Sequence, residues 1–267
     1  MGMKSVGQTL AAIRERHRAS PLPPAPAEPA PACADCRDLG WYSPDVEISD
    51  PQFGEVIPCE CRSEVWQERQ REKLKTFAGL PEGLARCRFE DMSWTPPGMS
   101  DAQRRRFVRC AEYCRQYAMG TTDEKWLLLA GSIGWGKSHL AACIVNTRLE
   151  RNEIAKFLDF PAILEELKAG FEDNSYHQIL SAYQEVELLV LDDLGAEYKG
   201  RAEGMSWSEG ELYKIVNYRY TNRLATVITT NVKPSELDAR ISDRIRDVGT
   251  GLSKLFMEEL PSYRTAK

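Results

Sequence analysis

A chain of 267 residues with 42% hydrophobic side chains can bury a substantial core and still carry a smaller appendage. Its formal charge of −5 excludes the broad positive field of a protein that coats nucleic acid indiscriminately, so any DNA contact is expected to be local. The first twenty residues lack the apolar stretch of a secretion signal, and the longest apolar runs, 126–130 and 188–191, fall far short of the ~20 residues that span a bilayer, so a cytoplasmic protein with no membrane contact is expected.

Residues 1–20 read as a basic amphipathic helix, with Val6, Leu10 and Ile13 on one side and Lys4, Arg14, Arg16 and Arg18 around it. Residues 21–32 carry six prolines and suit an extended spacer. Residues 33–61 are turn-rich, with Cys33 and Cys36 at one end and Cys59 and Cys61 at the other. Two closely spaced thiol pairs separated by 22 residues suit tetrahedral zinc, and so short a module needs a metal to fold. Free or redox-active thiols are the competing reading. Cys87, Cys110, Cys114 and Cys143 lie at apolar or helical positions and are expected in a core.

Residues 62–76 are highly charged and read as a connecting surface helix. From residue 77 to 267 strands and helices alternate, which favours an α/β domain with a parallel sheet flanked by helices. The expected strands are 126–129, 155–160, 188–191 and 226–230, and the expected helices 137–151, 161–170 and 208–222.

Between the first strand and first helix of that domain stands Gly131-Ser132-Ile133-Gly134-Trp135-Gly136-Lys137-Ser138. Glycines let successive backbone N–H groups turn inward on phosphate oxygens, Lys137 adds a point charge for the β- and γ-phosphates, and Ser138 offers a hydroxyl to Mg²⁺. This is a P-loop for ATP. Such a site needs a second strand ending in carboxylates, and 188–191 runs into Asp192 and Asp193. Asp192 is expected at Mg²⁺ and Asp193 at the attacking water. The strand 226–230 ends at Asn231, a candidate for holding that water.

The ordered set of P-loop, Leu191-Asp192-Asp193-Leu194-Gly195-Ala196-Glu197, Thr229-Thr230-Asn231 and an arginine-rich segment resembles the AAA+ ATPases. Within them it is most similar to helicase loaders of the DnaC and DnaI type, with the transposon helper IstB a close relative. The resemblance covers roughly 77–267. It implies that Asn231 is the first sensor, that 238–246 supplies an arginine finger to a neighbouring subunit with Arg244 ahead of Arg240, and that Arg264 in Ser262-Tyr263-Arg264 is the second sensor. With three residues following Arg264, little or no C-terminal lid is expected. The cysteine module resembles zinc-containing N-terminal modules of loader-like ATPases.

The function so implied is an ATPase of modest rate, stimulated by assembly or DNA. It would oligomerise through the ATP site and engage a hexameric DnaB-like replicative helicase and single-stranded DNA. Two alternatives stand beside it: an IstB-like transposition helper, and a nucleotide-gated replication adaptor that barely hydrolyses. Asp193 in place of glutamate, with its shorter arm, argues for slow turnover.

Overall fold

The computed structural model describes residues 33–37, 39–92, 98–195, 207–233, 236, 239–247, 252–257 and 262. The chain divides into two compact units, Met1–Trp66 and Gln67–Lys267.

In the first unit, β1 (Trp41–Tyr42) pairs antiparallel with β2 (Ile57–Pro58), Trp41 opposite Pro58 and Tyr42 opposite Ile57. Hydrogen bonds Arg37 N to Cys33 O and Cys59 N to Gly40 O fold the turn after Cys33 and the end of the hairpin toward each other. A 3-10 turn follows at Glu60–Arg62. The expected helix and spacer of residues 1–32 lie outside the described residues.

Helix α1 (Ser63–Ala78) and helix α2 (Asp101–Met119) precede β3 (Trp126–Gly131), α3 (Lys137–Glu150), β4 (Ala155–Asp159), α4 (Phe160–Glu172), α5 (Tyr176–Glu185) and β5 (Leu188–Asp192). Then come α6 (Trp207–Thr221), β6 (Ala225–Thr230), α7 (Ala239–Arg246) and β7 (Leu252–Met257). The five strands of the larger unit form one parallel sheet in the order β4-β5-β6-β3-β7.

The alternation of side chains along each strand makes two cores. Leu127 and Leu129 of β3, Val190 of β5 and Val227 of β6 meet Phe107, Cys110, Ala111 and Cys114 of α2 and Leu140 and Ile144 of α3 on one face. Trp126, Leu128, Leu191 and Ile228 meet Ile163 and Leu167 of α4, Leu212 and Ile215 of α6 and Ile241 and Ile245 of α7 on the other. Covering on both faces explains why these strands are continuously apolar. Cys87, Cys110, Cys114 and Cys143 are all buried, as their positions implied.

Four elements of the larger unit are not among the expected strands and helices: α2, α5, β7, and α7, which carries the arginine-rich segment. β7 reads Leu-Ser-Lys-Leu-Phe-Met, an irregular pattern, and is held as a strand by pairing along the whole of β3, Trp126 opposite Leu252 through Gly131 opposite Met257. α2 has strong local signals in hindsight: Ser100 and Gln103 make a reciprocal capping box, and Gly120 closes the helix at a φ of 71°.

Candidate nucleotide site and cysteine cluster

The carboxyl ends of β3, β4, β5 and β6 open on a cavity of about 760 Å³ lined by Gly134, Lys137, Ser138, Asp159, Asp192, Asp193, Thr229 and Asn231 among others. Ligands in open parallel sheets bind at this edge, where strand ends present polar groups from a rigid base. The octet 131–138 forms the turn between β3 and α3, with Gly136 in the left-handed region as the N-cap of the helix. α3 therefore aims its positive dipole end and unsatisfied amides at the cavity.

Lys137 is nearly buried, at 6% exposure, and its ammonium donates to Gly131 O (3.1 Å), Ser132 O (2.8 Å) and Asn231 Oδ1 (2.6 Å). It also lies 5.5 Å from the ring centre of Trp135, which is wholly buried beneath the loop. Asn231 Nδ2 in turn donates to Asp193 Oδ1. One hydrogen-bond chain thus joins the P-loop lysine, the end of β6 and the turn after β5.

Thr229, which the sequence reading named in a motif but gave no role, organises the two aspartates. Its hydroxyl donates to Asp192 Oδ1 (2.6 Å) and accepts from the Asp193 amide (2.9 Å). The second bond supports Asp193 at a φ of 53°, a left-handed conformation that a short polar side chain tolerates. Burial raises the Asp192 carboxyl above the usual range, opposed by bonds from Thr229 and Ser138 and by the charge of Lys137. Ser138 and Asp192 are therefore side by side and offer the two hard oxygen ligands, with room for water, that suit Mg²⁺.

Asp159, at the end of β4, is a further carboxylate in the cavity that the sequence reading missed. The signal existed, since β4 is another largely apolar strand closing on an aspartate, but its adjacency to Asp192 is a fact of strand order. The opposite wall is formed by Leu84, Asp91, Met92 and His139. Asn146 of α3 clamps that segment by donating to Leu84 O (3.3 Å) and Cys87 O (2.9 Å). His139 Nδ1 lies 3.5 Å from Cys87 Sγ. Burial depresses its basicity, which favours the neutral ring.

The model of a family described as IstB-like ATP binding protein matches residues 64–247. The chain belongs to this family. Over 201 residues this IstB-like protein is 24% identical to the replicative helicase loader DnaI of Bacillus subtilis strain 168, an alignment that takes in 74% of the chain and 61% of DnaI. Over 206 residues it is 28% identical to the replicative helicase loader DnaC of Escherichia coli K12, covering 74% of the chain and 78% of DnaC. A crystal structure of DnaI superposes with a TM-score of 0.54 at 23% identity, over 72% of this chain and 100% of that one. For the DnaC helicase loader the values are 0.51 and 22%, over 67% and 100%. The shared fold is the parallel α/β sheet with the P-loop at its edge.

In the IstB-like domain Arg240 and Arg244 of α7 pack on α6. Arg244 donates to Asn217 Oδ1 from Nε (3.3 Å) and Nη2 (3.2 Å) and lies 5.6 and 5.5 Å from the ring centres of Tyr213 and Tyr220. Arg240 sits 4.6 Å from the Tyr213 ring. Both side chains thus share one aromatic platform one helical turn apart, and neither lines the nucleotide cavity. Arg264 lies outside the described residues, but Ser262 is placed: a Cβ added at Gly134 would meet its Oγ at 2.1 Å and its Cα at 3.3 Å. Ser262 therefore rests against the P-loop. Among the described residues no helix is long and apolar enough to cross a membrane.

The smaller unit carries a separate site. The thiols of Cys33, Cys36, Cys59 and Cys61 all lie within 4.8 Å of one another. Cys33 Sγ and Cys59 Sγ are 3.6 Å apart, Cys36 Sγ and Cys61 Sγ 3.4 Å. Four sulfurs bound tetrahedrally at about 2.3 Å from zinc stand ~3.8 Å from one another, so the set fits that ion. Burial would raise the Cys36 thiol, but the Gly40 amide donating to its Sγ (3.3 Å) and the neighbouring thiols outweigh this and bring it to about 7. A thiol so placed gives up its proton readily to a metal.

Proposed function

We propose that this protein is an ATP-driven helicase loader: it binds and hydrolyses ATP, engages a hexameric replicative helicase and single-stranded DNA, and acts as a homo-oligomer completed across the ATP site. The observation that carries the reading is the chain Lys137–Asn231–Asp193, because it ties the group that holds the γ-phosphate to the group that handles water. Similarity to DnaI and DnaC supports the choice of partner.

In this reading the amides of 131–136 and the start of α3 cradle the phosphates, and Lys137 turns from its carbonyl partners to the β- and γ-oxygens. Ser138 and Asp192 hold Mg²⁺, which when bound neutralises charge on the β- and γ-phosphates. Asp193 accepts a proton from water as that water attacks the γ-phosphorus, and the bond to the bridging oxygen breaks to give ADP and phosphate. Asn231 holds the water and reports the γ-phosphate by exchanging its bond to Lys137. Arg244 swings from α6 into the neighbour's site, and Arg264, two residues beyond Ser262 in the sequence, reaches the phosphates of its own subunit.

Zinc on Cys33, Cys36, Cys59 and Cys61 folds the 33–61 module, which holds the helicase. Residues 1–20 and the 21–32 spacer extend that arm, 62–76 connects it, and 77–267 is the motor. The cysteine module is the feature that favours a loader over a transposition helper.

Full-length protein is expected to co-purify with a replicative helicase and to hydrolyse ATP faster with single-stranded DNA. Arg244→Ala is expected to reduce that turnover by about 100-fold or more while nucleotide affinity stays within about threefold, since a finger acts in the transition state of a neighbour's site. Absence of any helicase association would sink the loader reading. Undetectable turnover in wild-type protein with and without DNA would leave a nucleotide-gated adaptor.

A further inference from the structure

Asp159 closes β4 directly beside Asp192 on β5, the two being partners in the parallel register. It is also the N-cap residue of α4, a position where aspartate ordinarily accepts from the second or third amide of its helix. Here it makes no such bond. One reason is chemical: Pro161 stands at the second helical position and has no N–H to give. The carboxylate is exposed and lines the nucleotide cavity with Lys137, Ser138, Asp192 and Asp193.

A capping role therefore does not account for the residue, and its charge falls on the nucleotide site. Four carboxylates line that cavity, Asp91 on the far wall and Asp159, Asp192 and Asp193 at the strand ends, and all face a polyphosphate that is itself strongly anionic. Lys137 is the cation lining the same cavity among the described residues. The balance reverses when a divalent cation accompanies the nucleotide, because Mg²⁺ keeps several waters and nearby carboxylates accept their hydrogen bonds.

We propose that Asp159, beside Asp192 and Asp193 at the strand ends, makes nucleotide binding depend on the divalent cation, repelling the bare polyphosphate and favouring its metal complex. This rests on the assignment of Ser138 and Asp192 to Mg²⁺ above. It adds a selectivity that those two ligands do not supply alone: nucleotide without metal, which cannot be hydrolysed, is kept out.

The test is a titration of full-length protein with a fluorescent ATP analogue, in EDTA and across a magnesium series, for wild type, Asp159→Asn and Asp159→Glu. A unit charge within about 10 Å of another at intermediate dielectric changes binding on the order of tenfold. Asp159→Asn is expected to bind the metal-free analogue about tenfold more tightly and to need several-fold more magnesium for half of its full effect. Asp159→Glu, which keeps the charge, is expected to retain the wild-type gap between the two conditions. Since the side chain makes no capping bond, thermal melting without nucleotide should match wild type for Asp159→Asn. Equal affinity of wild type and Asp159→Asn in EDTA, with wild type responding normally to magnesium, overturns the role of Asp159. Wild-type binding that is indifferent to magnesium overturns the metal assignment itself, and this inference with it.

Discussion

Lys137 is almost withdrawn from solvent, and a buried ammonium is tolerated only where acceptors surround it. Two P-loop carbonyls and the Asn231 amide oxygen do so. Asn231 is therefore bound into the P-loop rather than a free polar end to a strand, and on the proposed mechanism Asn231→Ala is expected to lower turnover by about 10- to 100-fold with nucleotide affinity changed by less than about threefold. Steady-state hydrolysis and equilibrium nucleotide titration on the same preparations check this. Gly134 has a φ of 87° and Ser262 packed against it. Gly134→Ala puts a methyl into backbone-distance contact at a strained dihedral, and is expected to weaken nucleotide binding by at least tenfold while leaving the far-UV spectrum unchanged. These two residues show how unevenly a sequence speaks. Gly134 is legible because its loop is a contiguous pattern, whereas Asp159 carries ordinary strand-end sequence, and the hold of Thr229 on the aspartates comes only from its neighbours on β5.

At the level of elements, α6 is tied into the fold by Arg219, a fully buried side chain. It donates to Tyr183 O, Gln184 O and Val186 O around the end of α5, to Ala225 O and to Thr226 Oγ1 at the start of β6. Burial lowers it to about 10, still charged at neutral pH. Arg219→Met keeps much of the volume but orphans several carbonyls, each costing about 1–3 kcal/mol when left unpaired inside a protein. The expected result is a loss of about 3 kcal/mol or more in denaturant unfolding. Neither this arginine nor α5 stands out in the sequence, since Arg219 sits in a helix whose other polar residues suggest a solvent face. Helix α3 and strands β3, β5 and β6 were all legible, because a strand buried on both faces is apolar throughout. β7 was not, because its identity as a strand comes from β3 beside it.

For the whole molecule, two compact units carry two different chemistries, a thiol cluster in one and a phosphate site in the other. A module as small as 33–61 has little core of its own, so its folding is expected to follow its metal. Chelation of the full-length protein should release about one zinc per chain, open the 33–61 region to proteolysis and leave nucleotide affinity within about twofold. Metal analysis, mapping of the cleavage sites and nucleotide titration measure the three effects. Loss of nucleotide binding on chelation would contradict independent units.

By itself, the order of residues determined the P-loop, the strand that ends in Asp192 and Asp193, and the pairing of Cys33 and Cys36 with Cys59 and Cys61. Each of these depends on chemistry carried by neighbours in the chain. The tertiary structure alone decided that Asp159 joins Asp192, that Thr229 holds both aspartates, that Ser262 rests on Gly134 and that Arg240 and Arg244 share Tyr213. These contacts join residues from separate elements, and only the stacking of β4, β5, β6 and β3 into one sheet brings their ends to the same edge.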